Sequence, residues 1–310
     1  MFETLSEAHD WMSKLRDDAV RSIAWAIGSA PLMNNNCSLP MFSEQECLFR
    51  LSEAREWLSA LDLSSAPLHA HLAKRPSWKV GYRFESLVEF WLLNCPTLEC
   101  LATNLQVQRE NGQTMGAFDY ILQNELGEFE HWEIAIKFYL LHGSGQDWDQ
   151  WVGPGRRDRL DIKLHRMMNH QLPLSDSKQG RSALKTMNVN SIQNKKALLK
   201  GIFFRPWKET SLGPRNTFHP DHLGVWLYSY ELHEFIEKNN DAKFLIRNRP
   251  DWISPARCSG THSISSDQLL EEEFKKPTMV SLLRPLEDVY FERQRFFVVP
   301  PHWRGPLRRS

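Results

Sequence analysis

The sequence predicts an α/β fold in which helices flank a mixed central sheet, and three observations lead there. The apolar pattern changes period near residue 98, from helical spacing to extended runs. From that point the order is three extended segments, a helix and another strand, behind a helix whose apolar side needs a sheet to pack on. Only one helical crossover is evident and no Gly-x-Gly-x-x-Gly follows a strand, so doubly wound and Greek-key arrangements fit less well.

In chain order, the first 65 residues read as helices. "RDDAVRSIAWAIGSAPLM" places Val20, Ile23, Ala24 and Ile27 at helical spacing and breaks at Gly28 and Pro31. After the polar "NNNCSLP", "SEQECLFRLSEAREWLSALDL" is a second helix capped by Ser43. "HLAKRPSWK" reads as a linker, and "VGYRFESLVEFWLL" as a helix that ends before Pro96. "LECLATNLQVQ" (98–108), "GAFDYILQ" (116–123) and "EFEHWEIAIKFYLL" (128–141) read as strands, joined by "RENGQTM" and the tight "NELG". The loop "HGSGQDWDQWVGPG" leads into the helix "RRDRLDIKLHRMMNHQL", and the polar stretch 175–196 is expected to be mobile. "KALLKGIFFRP" then reads as a strand and "LGVWLYSYELHEFIE" as a strand plus helix. The tail adds "AKFLIRNRPDW", an acidic helix around 267–275 and a last strand, "RQRFFVVPPHW". The division expected is an N-terminal helical extension (1–75) packed on an α/β domain with a C-terminal extension (76–310).

Composition narrows the class. At 310 residues, 41% hydrophobic and 25% charged, the chain has ample material for a core. Lysine plus arginine equals aspartate plus glutamate at 38 each, so attraction to nucleic acid must come from local clusters. The 12 tryptophans show no fixed period, which argues against a repeat architecture. Five cysteines without a Cys-x-x-Cys pair argue against a disulfide framework or a zinc ribbon. No signal peptide and no uncharged membrane-length run is visible, so a cytoplasmic protein with no membrane partner is expected.

The chemistry concentrates between residues 85 and 137. In "HWEIAIKFYLL", Trp132, Ile134, Ile136 and Phe138 point one way and Glu133, Ala135 and Lys137 the other. A buried strand thus carries an acid and a base on one face. Asp119, in "AFDYI", lies on the strand joined to it by a hairpin, and Glu85 comes from the preceding helix. Converging carboxylates away from water need a cation or donors. A hard divalent ion such as Mg²⁺, possible also as Mn²⁺, suits two or three of them, and a neighbouring lysine suits phosphodiester hydrolysis. Each residue alone also reads as a cap, a turn residue or a solvated ion pair; their ordered appearance on helix, strand and strand carries the case.

That order resembles the PD-(D/E)XK nuclease superfamily, with its restriction-endonuclease-like core, over roughly residues 78–205. Within it, the run from "GYRFESLVEFWL" through "EIAIKFYL" to "WVGPGRRDRLDIKLHRMMNHQLPLS" is similar to a bacterial family. The resemblance implies that Asp119 is the metal-binding aspartate, Lys137 the lysine and Glu85 the helix glutamate. Glu133 departs from it: the family spacing is acid-x-Lys, whereas here Ala135 holds the acidic place. Four strand residues span about 13 Å against about 6.6 Å for two. Three arrangements stay open. Glu85 replaces the missing ligand; or Asp119 and Glu133 hold the metal and the lysine stem reaches back; or the site is degraded and the protein only binds.

The helix after the loop supplies a second cluster. Arg159, Lys163, Arg166 and His170 form one stripe at helical spacing, which reads either as a solvated basic face or as a contact to phosphates. Arg156 and Arg157 adjoin it. Superfamily members place a Gln or Lys from this helix beside the metal, which implies Lys163 and Gln171 here. "HPDHLG" (219–224) reads as a turn-rich loop and "RGPLRRS" as a flexible basic tail. The expected function is a metal-dependent phosphodiesterase hydrolysing DNA or RNA. The alternative is a catalytically degraded relative that binds nucleic acid or regulates, and a third class acts on another phosphate-bearing small molecule.

Overall fold

The computed structural model describes residues 1–34, 37–95, 97–209 and 223–305, and its centre is the strand that carries Glu133 and Lys137. Five helices precede the sheet: α1 (Leu5–Lys14), α2 (Asp18–Gly28), α3 (Glu44–Leu63), α4 (Ala66–Ala73) and α5 (Val80–Asn94). Their ends follow local chemistry. Asp17 accepts the amides of Ala19 and Val20 at the start of α2, and Ser43 forms a reciprocal capping box with Glu46 on α3. The strands β1 (Glu99–Gln108), β2 (Thr114–Gln123) and β3 (Phe129–Leu141) follow as an antiparallel meander. After the short β4 (Trp151–Val152) come α6 (Leu160–Arg166), α7 (Lys178–Lys185) and β5 (Asn194–Pro206), which runs parallel to β3 from Glu130 to Leu140. The remainder is β6 (Leu223–Tyr228), α8 (Leu232–Glu237), β7 (Lys243–Ile246), β8 (Arg257–Cys258), α9 (Ser266–Leu270), β9 (Thr278–Leu286) and β10 (Val289–Val299). Among the described residues they form one mixed sheet of ten strands, ordered β1-β2-β3-β5-β6-β10-β9-β7 with β4 on β3 and β8 on β10.

β3 is buried on both faces, and the alternation in its sequence sorts them. Trp132, Ile134, Ile136 and Phe138 join Phe84, Val88 and Trp91 of α5 in a core that continues through α2 and α3 to α1. Tyr139 and Leu141 face Leu160 and Leu164 of α6, and Met167 just beyond it, on the other side. The N-terminal helices therefore share their core with the sheet. They are also tied to it by Lys200 of β5, fully buried, which donates to the carbonyls of Ile27 and Ser29 and to Cys47 Sγ at 3.3 Å. The segment before α3 covers the open edge of β5: Leu32 N–H bonds Leu199 O at 2.8 Å, and Ala197 N–H bonds Pro40 O at 2.8 Å.

Three segments differ from the sequence expectation. α4 occupies part of the expected linker, with proline in its first turn, where the lost amide donor is not needed. The stretch 175–196 holds α7, capped by the Ser177 side chain, and the start of β5. α7 buries only Gly180 and Leu184, too little apolar surface to show as a stripe. β9 reads "TMVSLLRPL" without alternation because five consecutive residues of it are buried.

A buried ionic cluster fixes the far end of the sheet. Glu292 accepts Arg247 Nη1 at 2.9 Å and Arg295 Nε at 2.7 Å, and also Ser281 Oγ. Glu292→Ala leaves two buried guanidiniums uncompensated, with an expected loss of about 3–5 kcal/mol in urea unfolding. A loss below about 1 kcal/mol would show that water reaches the cluster.

Candidate active site at a fork between two strands

β2 and β3 pair only from Tyr120–Trp132 outward to Gln123–Phe129. Beyond that point they part, and Asp119 stands at the parting. Its Oδ2 takes the amide of Ile134 at 2.9 Å, the hydrogen bond that a continuing β2 backbone would otherwise supply. Tyr120 and Trp132 face α5, so the residues next to them, Asp119 and Glu133, face α6. The two carboxyls meet and hydrogen-bond there.

Glu133 is wholly buried. Its Oε1 lies 2.9 Å from His131 Nε2 and its Oε2 accepts the Gln171 amide. Lys163 Nζ in turn donates to Gln171 Oε1 at 3.1 Å. These partners have a common local origin. His131 is two residues before Glu133 on the same strand face. Lys163 is on α6, and Gln171 ends a π-helical turn, Met167–Gln171, that continues it. Such turns re-aim side chains and recur at functional sites.

The electrostatics follow from burial. Asp119 is pushed up to about 7, first by burial and then by the charge of Glu133. Glu133 is also raised to about 7 by burial, against the pull of Asp119, Lys163 and Gln171. Two carboxyls meeting away from water share a proton. Burial and the neighbouring Lys137 lower Lys163, while Asp119 and Glu133 hold its charge in place. Burial lowers His131 to about 4, so it is neutral, and the tautomer that donates to Glu133 carries its proton on Nε2.

The other sequence-derived candidates are placed as follows. Glu85 sits across the sheet on α5, its carboxylate 3.4 Å from Arg75 and within the electrostatic reach of Asp119 and Lys163. Lys137 shares the face of Glu133 but lies four residues further along, where it pairs with Asp158. Lys163, not Lys137, is therefore the ammonium bonded into the carboxyl pair through Gln171. Of the basic residues, Arg166 and Arg157 are exposed. Arg159 bonds Asp161 at 2.9 Å, and Arg156 donates to the carbonyls of Trp303 at 2.7 Å and Gly305 at 2.6 Å. Arg156 thereby clamps the chain end rather than presenting a free cation. Residues 219–222 of "HPDHLG" and 306–310 of the basic tail lie outside the described residues. Sequence reasoning passed over His131, although the strand alternation that singled out Glu133 also puts His131 beside it.

Among the described residues no group of three or more His, Cys, Asp or Glu side chains is arranged to hold a metal, and no helix is long and apolar enough to cross a membrane. The two carboxylates still suit a hard cation: Mg²⁺ takes one or two carboxylates and keeps several waters, and each carboxylate has about four lone-pair positions, more than the protein donors fill.

No curated protein and no solved structure gives a significant match to this chain. Residues 21–299 match the family described as "Domain of unknown function (DUF1853)", which takes in α5, the strand fork and α6 together. The chain belongs to that family.

Proposed function

We propose that this protein is a cytoplasmic, metal-dependent phosphodiesterase acting on nucleic acid, built on a restriction-endonuclease-like core. The observation that carries the reading is the Asp119–Glu133 pair at the strand fork, with Lys163 bonded into it through Gln171. The helix, meander, helix and parallel strand of α5 to β5 have the order that such a core requires. Asp119 and Glu133 would hold Mg²⁺ or Mn²⁺, without Glu85, whose carboxylate is paired with Arg75. When bound, that ion would lower the pKa of a bound water and polarise a phosphate oxygen.

The chain's own residues have separable tasks. His131 and Gln171 fix the Glu133 carboxylate in one orientation, which leaves its remaining lone pairs aimed consistently. Lys163 supplies positive charge where a phosphate would gain negative charge. Lys137 and Asp158 form a second ion pair further along the same strand face, a place for positioning rather than for the reacting group. A second reading keeps one specific support: Ala135 at the acidic place and Lys137 held by Asp158 describe a nuclease-fold protein that has kept binding and lost cleavage.

The test is to incubate the full chain with single- and double-stranded DNA and RNA in Mg²⁺, Mn²⁺ or EDTA. Metal-dependent cleavage is expected, reduced about 100-fold or more by Lys163→Ala and less than about tenfold by Lys137→Ala. Absence of cleavage with every substrate and metal overturns the enzyme reading. A larger loss for Lys137→Ala than for Lys163→Ala overturns the assignment of the ammonium.

A further inference from the structure

The stretch leading into α5 exposes two aromatic rings, Trp78 and Tyr82, and the turn at residues 249–252 sets Arg249 beside them. Trp78 is 63% exposed and Tyr82 38%, although both are large apolar groups of a kind that folding normally hides. Cations interleave them. The Arg75 guanidinium lies 4.7 Å from the Tyr82 ring centre, Lys79 Nζ 5.2 Å from Tyr82 and 5.9 Å from Trp78, and Arg249 5.2 Å from Trp78. Neither Lys79 nor Arg249 has a carboxylate within ion-pair distance among the described residues, so both charges stay available to an anion.

Position joins this patch to the carboxylates. Arg75 reaches from the Tyr82 ring to the Glu85 carboxylate, 3.4 Å away. Trp78 and Arg249 also line a cleft of about 900 Å³ together with Pro154 and Gly155, in the loop that leads to Asp158 and α6. Glu272 and Glu273 line the same cleft, together with the cations Arg247 and Lys276.

We infer that Trp78 and Tyr82, with Arg75, Lys79 and Arg249, form a stacking platform for single-stranded nucleic acid that leads the strand to the fork. The inference deepens the phosphodiesterase reading and rests on it only for the purpose of the binding. Unpaired bases have free π faces and duplex bases do not, so aromatic rings at the surface select the single strand. Cations beside the rings add attraction to the phosphates of a chain that passes them. An acidic peptide would satisfy the cations but not the rings.

The experiment is fluorescence anisotropy of a labelled oligothymidylate of about 20 nucleotides with the full chain in EDTA, beside a duplex of the same length and polyglutamate. The single strand is expected to bind tightest. Trp78→Ala should weaken it by about tenfold or more, Trp78→Phe should restore most of that, and Arg249→Ala should reduce the salt slope by about 0.7. Unchanged binding by Trp78→Ala, a duplex bound as tightly as the single strand, or equal binding of polyglutamate each overturns the platform. Failure of the two readings can be told apart. Trp78-dependent binding without cleavage in any metal supports the platform and defeats only the phosphodiesterase. Metal-dependent cleavage with binding indifferent to Trp78→Ala defeats only the platform.

Discussion

Asp119→Asn is expected to melt at a higher temperature than the parent protein near about pH 8, and to lose at least about 100-fold of any metal-dependent cleavage. Both effects come from one cause. Asp119 and Glu133 are each raised to about 7 from ordinary values of 3.8 and 4.5, so the fold prefers them protonated. The stability gained by holding those protons is fully present below about pH 4 and is lost as pH rises through about 7. His131 runs the other way, since its value is lowered from 6.5 to about 4: its contribution is present above about 6.5 and falls away as pH drops toward 4. Between about pH 8 and 6.5 the carboxyl pair takes up protons, and acidification stabilises. A tenfold change in proton affinity is worth about 1.4 kcal/mol, so the ionised pair costs the fold on the order of a few kcal/mol. The introduced amide keeps an oxygen for Ile134 N–H, offers a donor to Glu133 and removes one charge. Mg²⁺ should raise the melting temperature of the parent near about pH 8 and leave that of the variant unmoved. A variant that melts lower than the parent, or a parent whose melting temperature is flat between about pH 8 and 6.5, would show that the two carboxyls are not forced together.

Gly201→Ala is expected to remove soluble protein. Gly201 stands opposite Lys137 in the parallel pairing of β3 and β5, with φ of +144° that side chains rarely adopt. A methyl group there would overlap the Lys137 carbonyl oxygen and lie 2.7 Å from its carbonyl carbon and 3.0 Å from its amide nitrogen. These are backbone atoms in the middle of the sheet, so no side-chain movement relieves the contact. Parting the strands would break the longest parallel pairing among the described residues, beside the site face of β3. The strained backbone and the lost pairing together place the loss above about 4 kcal/mol, the range of the most damaging single substitutions. Gly81→Ala is the control, because a methyl group there meets nothing within 4 Å. A soluble Gly201→Ala protein with the melting temperature of the parent would sink this account of the β3–β5 junction.

What could be read in the sequence was whatever depends on neighbours along the chain. The change of apolar period marked α5 and the meander, because α5 shows one apolar side and β3 alternates two faces. The shared face of Asp119 and Glu133 followed from hairpin parity, which pairs Tyr120 with Trp132. The choice of ammonium did not follow from the strand pattern, and Lys163 and Gln171 were pointed to by the resemblance alone. Lys137 has the right parity, but a strand carries it about 13 Å from Glu133, to Asp158. Lys163 reaches the pair through the packing of α6 on the sheet and through a π turn, neither of which has a local signature. The pairing of Arg156 with carbonyls 147 and 149 residues away was equally invisible, so a basic residue beside a helix read as surface charge. α7 and β9 were missed for opposite reasons, one nearly all polar and the other buried without alternation.

The anchoring of Lys200 bears on how this chain can be dissected. Its stem rises from the sheet and its head ends among Ile27, Ser29 and Cys47, in the helical layer. Any shortened form that begins after α4 keeps the cation and discards all three of these acceptors, leaving a naked charge on what had been an interior surface. The helical layer is thus part of the scaffold rather than an appendage, and a minimal folded fragment has to begin upstream of α2.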